Sequence, residues 1–353
     1  APQFIKSILE IDSLGFDCDY ISDIFMMTTK YVDGMLQTAA GVRYKALVIP
    51  DSTFMPAKVK QHINNLIDAG ATINYGCDEK AMQAAAKPEQ MKTDLHFKMI
   101  RRKNDKGYHY FISNLTPNDV NSDVELAVKF SSAMLFDPIT GKKYAADVNN
   151  GKVNINLRSG QSIIMETFDK PTTIDAPALK QTYIHPIEIN RGWKLNFIES
   201  SPKVEREYNI DKLTTWEKLS GDSVKETMGT GSYTTTFYVP SAQSKADTQW
   251  ALDLGDVRES ARVWINNKYV GCAWCVPFIL ECSNTVKAGK NTIRIDVTNL
   301  PANRIAAMDR KGIKWRKFNE INLVDLNYKN TTYGQWEPVK SGLNSKVTLY
   351  QVK

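Results

Sequence analysis

Apolar positions along this chain fall into three successive textures. Up to about residue 95, helical and strand periods alternate. Residues 44–51, "YKALVIPD", form a short continuous apolar run, which predicts a strand covered on both faces in a parallel sheet. Val59, Ile63, Leu66 and Ile67 then fall on one helical face, with Pro56 placed to start the helix and Gly70 to stop it. "ATINYG" returns as the next strand, so residues 44–76 predict a β-α-β unit. Ile5, Ile8 and Leu9 lie at helical spacing from the very start. A helix with no strand before it leads us to expect that the sheet is begun by residues outside this chain.

From about 96 to 175 the helical period is lost. "YHYFISNLT", "DVELAVKF", "SAMLFDPITGKKY" and "KVNINLRSGQSIIMETF" read as strands, punctuated by Asn149-Asn150-Gly151 and by Pro138 with Gly141. They predict a small antiparallel β-sandwich. A Pro/Thr/Ala-rich connector, residues 170–180, marks a domain edge. Beyond it alternation is clean: Tyr233, Thr235, Phe237 and Val239 share a face, as do Trp250, Leu252 and Leu254, then Ala261, Val263 and Ile265, then Ile293, Ile295 and Val297. Asn266-Asn267 suits the positive φ angles of a tight hairpin. About eight such strands predict a second, larger sandwich of jelly-roll type. The expected class is therefore multidomain α/β plus all-β: an α/β domain over 1–95, a small β-sandwich over 96–175 and a jelly roll over 176–353.

At 353 residues such domains can bury their own cores without metals or disulfides. The formal charge of +6 is spread along the chain apart from clusters at 101–103 and 309–317, so no nucleic-acid partner is expected. No apolar run reaches the ~20 residues of a membrane span. The first residues, "APQFIKSILE", lack the basic and apolar regions of a signal peptide.

Two cysteine motifs invite chemistry. In "VGCAWCVPF", Cys272 and Cys275 in extended chain would sit about 10 Å apart with side chains on opposite faces, beyond the ~7 Å between Cα atoms that a disulfide tolerates. No second C-x-x-C completes a zinc site, and His62, His96, His109 and His185 are unpaired in sequence. Both cysteines are therefore expected to be small, buried or half-buried apolar side chains. Cys77, in "INYGCDEK", follows a strand as a nucleophile elbow would, but Asp78 and Glu79 stand where the strained turn needs small residues. A plain β-α turn is expected there, and a Cys77-based hydrolase is the remote alternative.

Residues 216–353 resemble the galactose-binding-like jelly roll attached to glycoside hydrolases: "LDLG", "ARVWINNKYVG", "PF" and "KAGKNTIRIDVTN" occur in that order, with "GQWEPVKSGLNSKVTLY" similar to its closing strand. "MLQTAAGVRYKALVIPDSTFMPAKVKQHINNLIDAGATI" is similar to the flavodoxin-like segment that follows the barrel in α-L-rhamnosidase-like enzymes of glycoside hydrolase family 106. "MIRRKNDKGYHYFISNL" with "DPITGKKY" resembles the sandwich that comes next there. Family 2 hydrolases share the jelly roll but do not usually carry this α/β neighbour in this order, so a fragment of a family 2-type glycosidase is the second choice. The resemblance implies a secreted or periplasmic parent enzyme acting on plant-type polysaccharide. In that enzyme this chain would scaffold, in cis, a catalytic barrel that the chain itself lacks. It also leaves room for a structural calcium in the jelly roll, though no carboxylate cluster of loop spacing identifies one. No other cofactor is expected.

In such enzymes the paired carboxylates stand on the barrel, so no catalytic residue is assigned. Asp253, Asp256 and Glu259 are read as solvated strand edges. Sugar rings stack on aromatic faces while their hydroxyls pair with polar side chains. That points to Trp264 and Trp274 beside the hairpin loop, and to Asn299, Asn303, Arg304, Asp309, Arg310 and Trp315 in the insertion "NLPANRIAAMDRKGIKWRKFNE". Such a loop serves ligand binding or docking on the barrel. The competing reading buries Trp264 and Trp336 in the sandwich core or against a neighbouring domain. A self-sufficient carbohydrate-binding protein is the alternative from another class.

Overall fold

The computed structural model describes residues 3–51, 54–177, 183–189, 191–245, 247–317 and 331–353. The chain divides into two compact units, Ala1–Leu179 and Lys180–Lys353.

The first unit opens with an α/β region. Strands Ala46–Ile49 and Thr72–Tyr75 run parallel, Ala46 opposite Thr72 and Ile49 opposite Tyr75, joined by the helix Ala57–Asp68. This is the β-α-β unit read from the sequence, and Gly70 follows the helix with φ +101°. The helix buries Val59, Ile63 and Leu66, whereas Ile67, at the edge of that stripe, is exposed. All four residues of Ala46–Ile49 are only half-buried, not covered on both faces as their pattern predicts. The reason is the sheet: it has two strands among the described residues. The helix Gln3–Ser13 buries Ser7 and Ile11 and leaves Phe4, Ile5 and Leu9 exposed, so the stripe expected to face a core points outward.

Two buried charges fasten this region to the rest of its unit. Lys92, its side chain 5% exposed, lies between Asp12 at 2.9 Å and Asp17 at 2.6 Å and donates to the Phe16 carbonyl. Glu89 is buried and accepts from the Arg101 guanidinium, from the Tyr110 hydroxyl at 3.3 Å and from the Ala127 amide at 3.1 Å. A buried charge needs such partners.

Residues beyond 97 form the expected strands. A five-stranded antiparallel sheet runs in the order Lys143–Ala145, Ser132–Phe136, Ser162–Phe168, Gly107–Ser113, Lys98–Lys103, and a three-stranded one in the order Val148–Asn149, Lys152–Leu157, Val120–Glu125. Tyr110, Ile112, Val153, Ile155 and Met165 are among the side chains they bury in one cluster. Asn150 and Gly151, at φ +51° and +77°, make the hairpin that the Asn-Asn-Gly signal predicts.

The second unit is an antiparallel sandwich. Its six-stranded sheet has the order Tyr208–Ile210, Trp193–Ser201, Met228–Val239, Gly289–Thr298, Ser260–Ile265, Lys268–Ala273, and its four-stranded sheet the order Tyr183–Ile189, Val347–Val352, Gln249–Asp253, Ile279–Glu281. The alternating apolar residues read from the sequence meet in one core with Trp193 and Trp216, whereas Thr235 stays half-buried and donates to the Arg191 carbonyl. Asn266 and Asn267, at φ +51° and +64°, turn the hairpin between its last two strands. Within the core the Trp216 indole donates to the Tyr233 hydroxyl at 2.7 Å. That hydroxyl also accepts from the Leu343 amide at 3.2 Å. Gly342, at φ +93°, passes so close that a Cβ there would run into both the indole and the hydroxyl.

No described helix is long and apolar enough to cross a membrane.

Candidate functional site

The insertion after the strand Gly289–Thr298 contains the helix Ala302–Arg310, which buries Asn303, Ala306 and Ala307. Residues 318–320, which end the insertion as read from the sequence, lie outside the described residues. Two of the candidate ligand residues are consumed by the fold. Asn299 donates to the Thr227 carbonyl at 3.0 Å and the Ser341 hydroxyl at 3.1 Å, and accepts from the Gly229 amide at 3.0 Å. Asn303 clasps the backbone of Val339 in both directions, at 2.7 and 2.8 Å, and donates to Glu217 at 3.1 Å. Glu217 in turn accepts from the Ser341 amide at 3.2 Å. These amides anchor segment 339–341 with hydrogen bonds that a ligand would have to displace.

The end of the helix builds a different structure. Asp309 accepts from the Trp315 indole at 2.5 Å and from the Tyr333 amide at 2.6 Å, and these two donors hold its carboxyl below the usual carboxylate range. Arg310 donates to the Gly334 carbonyl at 3.2 Å. The Tyr333 ring lies 4.5 Å from Trp336 and 6.1 Å from Trp315 between centroids, and the Arg316 guanidinium stands 5.3 and 5.4 Å from the Trp315 and Tyr333 rings. Three aromatic rings therefore form one cluster, two of its residues tied to Asp309 and the third packed on Tyr333.

Beside it opens a cavity of about 260 Å³, lined by Trp336, Arg310, Glu217, Asp222, Lys225 and Glu226 among others. That falls below the ~300–1,000 Å³ of drug-sized pockets and suits a single small ring. Trp336 is 48% exposed, which leaves part of its indole free to stack. Glu226 pairs with Lys311, and Lys225 lies 4.0 Å from Asp222, so both carboxylates and cations line the opening. Such a wall offers acceptors and donors to hydroxyls, with an apolar platform beside them.

The remaining candidates lie elsewhere. Arg304 is half-buried on the same helix but does not line this cavity. Trp264 lies half-buried on the Ser260–Ile265 strand and outside the core cluster, which corrects the part of the competing reading that placed it in the sandwich core. Its neighbours explain this: the Arg294 guanidinium covers the ring at 3.8 Å from its centroid, and Tyr269 packs on it at 5.3 Å. Trp274 is 62% exposed in the loop beyond. Trp336 is not in the sandwich core either: it is exposed at the cavity. Sequence reasoning passed over it and Tyr333 because "GQWEPV" resembles a closing strand. A signal was present: Gly334 and Pro338 on either side of the tryptophan oppose a strand, and the closing strands are Gly342–Leu343 and Val347–Val352.

Cys272 is exposed, not buried or half-buried as expected, because its strand, Lys268–Ala273, is the sheet edge and the side chain points off the core face; Cys275 is half-buried, as expected, and the two form no disulfide. Burial and the Glu10 carboxylate push the Cys77 thiol up, the opposite of what a nucleophile needs. Asp78 beside it caps the helix Glu79–Ala85 through the Ala81 amide at 2.9 Å. For the calcium that the resemblance allows, no three His, Cys, Asp or Glu side chains group together as a metal site among the described residues.

Comparison with known proteins places this architecture. Over 94% of its length the chain superimposes on a rhamnosidase from Novosphingobium sp. PP1Y, with TM-score 0.66 and 19% identity. The fold is shared with a region of a glycoside hydrolase. No family model matches the chain. In sequence it is 31% identical over 161 residues, 43% of the chain, to a Formosa agariphila protein named "Putative beta-glucuronidase". An FMN-binding beta-glucuronidase from Facaelibacterium prausnitzii L2-6 overlaps 47% of the chain at TM-score 0.31, too little to carry an argument. The chain spans 36% of the rhamnosidase and 14% of the Formosa protein.

Proposed function

We propose that this chain is the accessory, carbohydrate-contacting region of a larger, secreted glycoside hydrolase of rhamnosidase-like type, and that it grips a sugar ring at the Trp336 cavity. The observation that carries the reading is that cavity. An exposed indole, held in a cluster of three aromatic rings, sits beside carboxylates and cations, which matches the apolar face and polar rim of a pyranose. The fold shared with part of a rhamnosidase supports the enzyme class, and the name of the Formosa relative agrees with action on glycosides. We assign this chain no catalytic residue; bond cleavage belongs to a barrel domain elsewhere in the protein, acting on plant-type polysaccharide. The three-part division at residues 95 and 175, with a flavodoxin-like first part and a galactose-binding-like last one, belongs to the same reading.

Affinity gels containing rhamnose-rich pectic polysaccharide test it. The chain should be retarded without releasing sugar. Trp336→Ala should weaken the retardation at least about tenfold, equivalent to ~1.4 kcal/mol, with an unchanged melting temperature. Equal retardation of the variant would remove the cavity from the reading, and sugar release would overturn the non-catalytic role.

A further inference from the structure

The segment that carries Trp336 is tied at both ends to the helix Ala302–Arg310. Asn303 holds it at Val339. At the other end the Tyr333 amide donates to Asp309 at 2.6 Å, and the Gly334 carbonyl accepts from Arg310 at 3.2 Å. Gly334 lies so near the helix end that a Cβ there would stand 3.4 Å from the Arg310 Cγ and 3.7 Å from the Asp309 Cβ. Between these ties the chain turns: the Trp336 amide donates to the Tyr333 carbonyl at 3.0 Å, and the two rings meet at 4.5 Å between centroids. Tyr333 thus bears on both the backbone and the ring of Trp336, and Asp309 bears on Tyr333. Asp309 is not itself among the residues lining the cavity. Its clasp also demands a particular chemistry. Oδ1 accepts from the Trp315 indole and Oδ2 from the Tyr333 amide, so each oxygen faces a different N–H donor. An amide or a protonated carboxyl at this position would turn a donor toward one of them. The Arg316 guanidinium, beside the Trp315 and Tyr333 rings, adds a favourable positive charge.

We propose that Asp309 is a positioning residue for sugar binding: acting through Tyr333, it fixes the exposed Trp336 indole in the pose that stacks on a pyranose. An indole exposed by about half its surface gives up rotamer freedom when a ligand packs on it, and a clasp that has already fixed its neighbours lowers that cost. Asp309 therefore serves the sugar without touching it, which is how a residue read from the sequence as a ligand comes to lie outside the cavity. The inference rests on the carbohydrate reading of the Trp336 cavity, and its first measurement needs no sugar.

That measurement follows, in the full chain, the indole N–H resonance that disappears in Trp336→Ala. Asp309→Ala removes both acceptors and should move this resonance, although Asp309 bonds to Tyr333 and Trp315. Asp309→Ser, too short to span both donors but still polar at the helix end, should move it too and serves if the alanine variant melts early. On gels containing rhamnose-rich pectic polysaccharide, either variant should be retarded about threefold to tenfold more weakly than the unaltered chain. Combined with Trp336→Ala, it should bind no more weakly than Trp336→Ala alone, because the clasp has nothing left to position. A general loosening of the fold would add its loss to that of Trp336→Ala. An unmoved Trp336 resonance, or additive losses in the double variant, overturns the proposal. Failure of the cavity reading shows separately, as equal retardation of Trp336→Ala and the unaltered chain; a moved resonance would then still support the hold of Asp309 on the indole.

Discussion

The strand Gly289–Thr298 of the second unit has a paired neighbour on each side, Met228–Val239 and Ser260–Ile265, and its Ile293, Ile295 and Val297 are buried. The strand Ala46–Ile49 of the first unit is as apolar, yet it pairs only with Thr72–Tyr75 among the described residues and stays half-buried throughout. The two differ in what surrounds them, not in their own preference for burial. In the second unit the chain supplies both sheets of its sandwich and encloses Trp193, Trp216 and Trp250. The α/β region instead leaves Phe4, Leu9, Ile24 and Phe25 facing outward.

The comparison breaks first, and most severely, at the closed core. Trp216 is fully buried and joined by hydrogen bond to Tyr233, which in turn holds the backbone at Leu343. Trp216→Ala removes a large side chain and leaves the Tyr233 hydroxyl short of a donor, and should cost about 3–5 kcal/mol. Urea titration read by near-ultraviolet circular dichroism checks this. A loss below ~1 kcal/mol would mean that the second unit is not the tightly closed one.

Much of this contrast was legible in the sequence, for reasons that differ by element. The strands of the second sandwich alternate because one face meets the core and the other does not, so Tyr233, Leu252, Val263 and Ile295 announced their burial directly. Asn-Asn and Asn-Asn-Gly fixed two hairpins through their tolerance of positive φ. Where the sequence misled, long-range cover was the missing quantity: the runs at 46–49 and the stripe on the first helix show where burial is wanted, not whether a neighbour supplies it. The Trp336 cavity was hidden for a related cause. Asp309 joins Trp315 to Tyr333, whose ring meets Trp336, across a wide separation in sequence, and no local period reports such a contact. The Asn299 and Asn303 clasps look like ligand residues in sequence because the same amides that bind sugar also bind backbone.

A smaller loss should follow at the anchor of the open region. Burial opposes the Lys92 charge, and the carboxylates of Asp17 and Asp12 outweigh it and raise its affinity for a proton. For Asp12 burial again opposes the charge, and Lys98 and Lys92 outweigh it and hold the carboxyl below its ordinary value. The lowered carboxyl contributes stability above its unfolded pKa of ~3.9, lost as pH falls through the folded value. The raised ammonium contributes below ~10.4, lost as pH rises through its own folded value. Lys92→Met should therefore cost on the order of 2–3 kcal/mol at neutral pH. That is less than a fully enclosed pair, because the Asp12 and Asp17 side chains remain 32% and 35% exposed. Melting temperatures of the two proteins should converge as pH drops below about 4. A constant gap across that range would show that packing, and not charge, holds the anchor.

The smallest effect on folding, and the most telling for the comparison, should come from Leu9→Ser. Leu9 is 63% exposed on the outward stripe of the first helix, beside Phe4 and Ile5, so little apolar area returns to water and the stability change should stay within ~0.5 kcal/mol. A buried leucine in the second sandwich would lose several times that. What the substitution should change is association, because it places a hydroxyl in the middle of an apolar stripe. Sedimentation at rising concentration should show less self-association for the variant than for the unaltered chain. If the two sediment alike and Leu9→Ser instead destabilises the chain by more than ~1 kcal/mol, the first helix is already covered and the open region is as closed as the sandwich.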